Sequence, residues 1–213
     1  MTPAVRVHSC VPRRVALARL GLAHTTAKEE ALMAQYAELT AFPENLGVLQ
    51  ALRQRGVATA ILSNGSPEML QSAVHSAGMS ELLGAVLSVD SVRQFKTTPT
   101  SYQIVTDHFG FAPAEVLFVS SNAWDALGAT WFGFTTLWVN RQGLPPEAIG
   151  PAPQHTGRDL SEVLKPKVPV RGMVFHVITR DAFNERAMEG GCKTFQKLAD
   201  MKKTDEKKYE AIC

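Results

Sequence analysis

Lys96, Asp125 and a set of hydroxyl and carboxamide side chains stand at spacings that suit chemistry on a small anion. Four short apolar runs, Val57–Leu62, Ala85–Val89, Val116–Ser120 and Thr135–Val139, each give way to polar residues. The first leads into Ser63-Asn64-Gly65 and the second precedes Lys96. The third closes on Ser120 and continues as Ser121-Asn122-Ala123-Trp124-Asp125, and the fourth meets Asn140-Arg141. One Ser or Asn in such a place is ordinarily a helix cap. Four in succession direct one amine, one carboxylate and several neutral polar groups to the same end of a sheet. Small ligands of open α/β sheets lie at that end.

The elements that would hold these residues can be read from periodicity and punctuation. Val15–Leu20 and Lys28–Leu39 have helical spacing, and Pro43 opens a helix over Glu44–Arg55 that Gly56 ends. Val57–Leu62 is short and partly β-branched, which predicts a buried strand. Ser66 and Pro67 form an N-cap and first turn for a helix that Gly78 closes. Strands at Ala85–Val89, Val116–Ser120 and Thr135–Val139 then alternate with helices at Pro99–Phe109 and Trp124–Trp131. This alternation predicts a parallel sheet with helices on both faces. Pro145–Pro153 reads as a proline-rich loop, and Lys165-Pro166-Lys167 with Pro169 reads as a junction.

Composition bounds the rest. A chain of 213 residues, 45% hydrophobic, suffices for one core and a small appendage. Residues 165–213 carry 11 Lys and Arg against 7 Asp and Glu, so the tail stands at +4 and the body at −2. A solvated charged helix such as Met201–Tyr209 accounts for that basicity better than a nucleic-acid patch. Cys10, Cys192 and Cys213 form no CxxC pair, which argues against a disulfide framework or zinc site and fits a reducing cytosol. Arginines precede the first acid, Glu29, but the apolar stretches there are too short and too broken by charge for secretion. No apolar run approaches a membrane span. The expected location is cytoplasmic, with neither nucleic acid nor membrane as a partner.

The motifs carry a resemblance. Leu62-Ser63-Asn64-Gly65-Ser66-Pro67, Leu87-Ser88-Val89-Asp90, Phe95-Lys96, Phe118 through Asp125, Phe132-Gly133-Phe134 and Trp138-Val139-Asn140-Arg141 resemble the type II 2-haloacid dehalogenases of the haloacid dehalogenase superfamily. The likeness covers about residues 15–164. It implies an α/β fold, a Rossmann-like core over 43–164, with residues 15–42 as the later half of a helical cap. It also implies a reaction: an aspartate attacks the halogen-bearing carbon of a short 2-haloalkanoic acid, and water hydrolyses the resulting ester. By the resemblance Lys96 keeps the nucleophile ionised. Ser63 binds the substrate carboxylate, Asn64 helps hold the leaving halide, and Tyr102 supports the site. Ser120, Asn122 and Asp125 position and activate water, and Trp124 lines the pocket. Asp125 also suits the first turn of a helix. No organic cofactor is implied. No metal is implied either, since Ser120, Ser121 and Asn122 are neutral where phosphatases of the superfamily supply acids for Mg²⁺. Homodimers are common among such proteins, by analogy alone.

The sequence departs from the family in three places. Met1–Arg14, an unassigned segment, contains no acid, so nothing before Val15 offers the nucleophilic aspartate. Without the strand that normally bears it, the sheet should be left with two unpaired inner edges. Thr97 follows the lysine where the family usually has proline. The tail, 165–213, reads as unrelated or rearranged in origin. Within it Val170–Thr179 is strand-like and loosely similar to the family's first strand, with His176 in the aspartate's place. The favoured expectation is a chance apolar run. On these grounds the chain alone is expected to be inactive as a dehalogenase, the alternatives being a non-catalytic relative or a phosphohydrolase.

Overall fold

Short apolar strands buried on both faces need helices on both sides, and the chain supplies them. The structure is a computed structural model and describes residues 34, 39–146, 150–165, 170–176 and 179–180. Residues 41–180 form one compact unit. The segment Met1–Arg14, the expected helices Val15–Leu20 and Lys28–Leu39 (apart from Ala34 and Leu39), the three cysteines and Met201–Tyr209 lie outside the described residues.

Helix α1 (Asn45–Gln54) turns Val48, Leu49 and Leu52 inward, a stripe at helical spacing. Strand β1 (Ala58–Ser63) follows. Helix α2 (Pro67–Ser76) starts on Ser66, whose hydroxyl accepts from the Met69 amide at 3.4 Å, with Pro67 in its first turn. Then come β2 (Ala85–Ser88) and α3 (Pro99–Phe109), the latter capped by Gly110 in the left-handed region. Strand β3 (Val116–Ser120), helix α4 (Ala123–Phe132) and strand β4 (Thr135–Val139) complete the alternation read from the sequence. A three-residue edge strand, β5 (His155–Gly157), was not expected from the sequence.

The central strand is the main correction. Strand β6 (Gly172–Phe175) is no chance apolar run, and the two inner edges are not left open. The sheet runs β2-β1-β6-β3-β4-β5, parallel throughout, and β6 pairs with β1 on one side and β3 on the other. Phe175 stands level with Ile61 and Val119. The ends of β6 are tied as well: the Ala58 amide donates to Arg171 O at 3.3 Å, and the His176 amide donates to Val119 O at 2.8 Å. Alternation along β6 sends Met173 and Phe175 into the core under α1 and α2. Val174 enters the opposite core with Tyr102, Phe118 and Phe134. This register is strongly specified, because a slip of one residue would exchange the two faces.

Candidate active site

The carboxyl ends of β1, β3 and β6 meet around Lys96, which sits in the loop before α3. Its side chain is fully buried, and its ammonium nitrogen has three partners: Leu62 O at 2.9 Å, Asp125 Oδ2 at 3.0 Å and His176 Nδ1 at 2.6 Å. The Lys96 amide donates to Asn64 Oδ1 at 3.0 Å, so the loop after β1 holds the lysine's backbone. Ser88 donates to Gly65 O and braces that loop from β2. Beneath the ammonium, 5.2 Å away, lies the Phe118 ring, which packs edge-on against Tyr102.

Asp125 occupies the first turn of α4 and has no exposed surface. Ser120 donates to Oδ2 at 2.9 Å and Tyr102 donates to Oδ1 at 2.8 Å, so with Lys96 three of about four acceptor positions of the carboxylate are filled. Breaking a buried pair of this kind typically costs about 3–5 kcal/mol. Burial, reinforced by the nearby Asp125, raises the Tyr102 phenol far above its ordinary range, so it stays protonated and donates to Asp125. Burial lowers the Lys96 ammonium, against the opposing pull of Asp125. His176 is pushed down to about 4, first by burial and then by Lys96, with Asp125 and Leu62 opposing. The imidazole is therefore neutral at pH 7, its Nδ1 3.4 Å from Asp125 Oδ2.

The sequence-expected residues divide into three groups. Lys96, Ser120, Tyr102 and Asp125 form one hydrogen-bonded cluster, with Asn64 attached through the Lys96 amide. Tyr102 is wholly buried, its hydroxyl is bonded to Asp125, and it offers no surface to a substrate. Ser63, Asn122 and Trp124 border the cluster. Ser63 Oγ accepts from the Gly65 amide, the Asn122 amide donates to Ser120 Oγ, and Trp124 is 40% exposed with its ring edge-on to His176 at 6.1 Å. Asn140 and Arg141 are committed elsewhere. Asn140 closes a turn with Leu144, and Arg141 pairs with Glu44 at 2.6 Å over the Phe42 ring.

Two further residues matter. His176 stood in the sequence in the aspartate's place of a strand-like run whose favoured expectation was chance, and the structure sets it beside Lys96. Gly128 gave no signal, yet a Cβ there would lie 2.6 Å from Thr97 Cγ2 and 2.8 Å from the Tyr102 hydroxyl. A separate cavity of about 960 Å³, lined by Leu52, Val57, Leu117, Met173 and others, opens toward the amino ends of the strands and holds none of the cluster. Among the described residues no group of three His, Cys, Asp or Glu side chains is placed to hold a metal ion. No helix among them is long and apolar enough to cross a membrane.

The family described as haloacid dehalogenase-like hydrolase matches residues 8–133. The chain belongs to the haloacid dehalogenase-like hydrolases. It is 40% identical over 147 residues to haloacetate dehalogenase H-2 of Moraxella sp. (strain B), covering 69% of this chain and 61% of that one. Over 135 residues it is 44% identical to (S)-2-haloacid dehalogenase 4A of Burkholderia cepacia, covering 63% and 58%. The crystal structure of the L-2-haloacid dehalogenase RSc1362 superposes with a TM-score of 0.69 at 54% identity, over 71% of this chain and 67% of that one. The chain thus spans about three-fifths of the length of these curated relatives. The central strand of this haloacid dehalogenase-like hydrolase lies outside the matched residues, starting 39 positions beyond them in the chain.

Proposed function

We propose that the strand ends of this hydrolase form a pocket for short 2-haloalkanoic acids in which the family's covalent step is interrupted, because His176 stands where an attacking aspartate would be needed. The observation that carries the reading is the 2.6 Å contact between His176 Nδ1 and Lys96 Nζ at the end of the central strand. In the proposed pocket Ser63 and Asn64 meet the carboxylate and the halide, and Trp124 covers the apolar carbon. Ser120, Asn122 and Asp125 belong to the water-handling side. Lys96 supplies the positive charge that would keep a carboxylate at position 176 ionised. An imidazole offers no carbonyl carbon for water to attack, so no ester intermediate can form and be hydrolysed. The position of β6 outside the matched residues supports a rearranged origin for the tail.

The test is halide release from 2-chloropropionate by the chain and by His176→Asp. The unmodified chain should show no sustained release. The variant should turn over repeatedly, exceeding the parent by roughly a hundredfold or more, since covalent catalysis collapses with its nucleophile. Sustained turnover by the parent would refute the reading. So would a folded His176→Asp protein as inert as the parent.

A further inference from the structure

We infer that Thr98, together with Ser101, is a positioning residue for Lys96: its hydroxyl anchors the loop that delivers the ammonium to Asp125 and His176. The proposed pocket relies on that placement of Lys96, but the placement can be tested without halide release, so the two readings fail separately. Lys96 lies in neither helix nor strand, and Arg93, three residues earlier, has a positive φ of 53°. The backbone here takes its position from individual hydrogen bonds. The ammonium nevertheless arrives within 2.6–3.0 Å of three partners. A buried lysine has given up most of its rotamer freedom, so a shift of its backbone is passed on to the ammonium.

Thr98 takes the N-cap position of α3, yet its side chain makes no capping bond. A cap hydroxyl ordinarily accepts from an amide in the first turn, as Ser66 does from Met69 at the start of α2. The Thr98 hydroxyl turns the other way and donates to Phe95 O at 3.1 Å, which also accepts from the Thr98 amide at 3.2 Å. Across the same peptide unit the Lys96 amide donates to Asn64 Oδ1 at 3.0 Å. The peptide joining Phe95 to Lys96 is thus held at its oxygen and at its nitrogen. Ser101, which has no exposed surface, completes the clamp. Its Oγ lies 2.6 Å from Thr98 Oγ1 and 3.2 Å from Gln94 O. Each hydroxyl has a single hydrogen to give. Whether Ser101 donates to Thr98 or accepts from it, the relay ends on the carbonyl of Phe95 or Gln94, just before Lys96.

The experiment compares the full chain with Thr98→Val, Thr98→Ser and Ser101→Ala. Valine keeps the shape of threonine and removes the hydroxyl, whereas serine keeps the hydroxyl. The readout is the His176 imidazole followed by nitrogen NMR, with His176→Asn identifying its resonances. Lys96 and Asp125 are the charged groups that act on this ring. In the parent the Lys96 ammonium donates to Nδ1, which leaves the ring hydrogen on Nε2. Thr98→Val should weaken that tautomer preference and raise the imidazole midpoint from about 4 by roughly half a unit or more, as the ammonium withdraws from Nδ1. Ser101→Ala should act in the same direction, and Thr98→Ser should restore the parent values. A hydroxyl that serves only the start of α3 gives a different pattern: thermal melts fall while the His176 resonances and midpoint stay in place. That pattern overturns the inference, as does a serine variant indistinguishable from the valine one. Should Thr98→Val fail to fold, Ser101→Ala decides by the same readout, unchanged His176 resonances overturning the inference.

Discussion

Acidification should destabilise this fold through His176 in a window set by the residue's two environments. In the unfolded chain an imidazole titrates near 6.5. In the folded protein burial and Lys96 push it down to about 4. The folded-state value is depressed, so the unfolded chain binds the extra proton first as pH falls. The stability is fully present above about pH 6.5 and is lost progressively down to about pH 4. At about 1.4 kcal/mol for each tenfold difference in proton affinity, the loss amounts to roughly 3 kcal/mol. Lys96, also lowered by burial, acts in the same direction at higher pH. The assay is urea unfolding between pH 4 and 8 for the chain and for His176→Asn, which can still accept from Lys96 but cannot titrate. Other acids titrate in both proteins, so their contribution cancels in the difference between the curves. That difference should change by roughly 3 kcal/mol across the window. Parallel curves would refute the placement of a neutral imidazole beside Lys96.

Four other outcomes follow from the packing and the donor chemistry. Gly128→Ala should lower stability by about 1–3 kcal/mol in thermal melts, because its Cβ would press on Thr97 and the Tyr102 hydroxyl; an unchanged melt would contradict that close approach. Phe175→Ala should cost about 3–5 kcal/mol, as expected for a wholly buried central-strand ring. Amides of β6 should also exchange slowly in the parent, and fast exchange there would remove the strand from the sheet centre. Millimolar Mg²⁺ should leave the melting temperature unchanged, because Ser120, Ser121 and Asn122 are neutral and Asp125 is already bonded to Lys96, Tyr102 and Ser120; a rise would count for metal-dependent phosphate chemistry.

Local signals were enough for most of the unit from Ala41 to Arg180. Ser66-Pro67 and Gly78 marked helix ends that the structure keeps, and Pro99–Phe109 and Val116–Ser120 have the bounds read from the sequence. His155–Gly157 was missed because three residues with no apolar alternation carry no strand signal. Their pairing with Leu137, Trp138 and Val139 is a tertiary event. The site was legible in part for the same reason. Lys96, Ser120 and Asp125 announce themselves by standing at strand ends, whereas Gly128 matters only because two distant side chains approach it. Gly172–Phe175 shows the limit most clearly. Its sequence permits a strand, but a four-residue run does not name its partners, and those lie more than 50 and 100 positions away in β3 and β1.

A parallel sheet can accept its middle strand from either end of a chain, because the backbone hydrogen bonds require only direction and register. What the strand brings to the site depends on the residue after it. An aspartate at 176 would set two carboxylates against one buried ammonium, leaving an excess negative charge that a small anionic substrate would have to approach. Like charges at such distances disfavour one another strongly. The family reaction needs that strained arrangement, since the excess charge resides on the attacking oxygen. A neutral imidazole leaves Lys96 and Asp125 as a balanced pair and fills the third direction of the amine. The arrangement should therefore favour folding over turnover, as stability and activity often oppose each other where catalysis requires a destabilised site. His176 is thus compatible with a well-packed core and incompatible with an ester intermediate, and both properties come from the same missing charge.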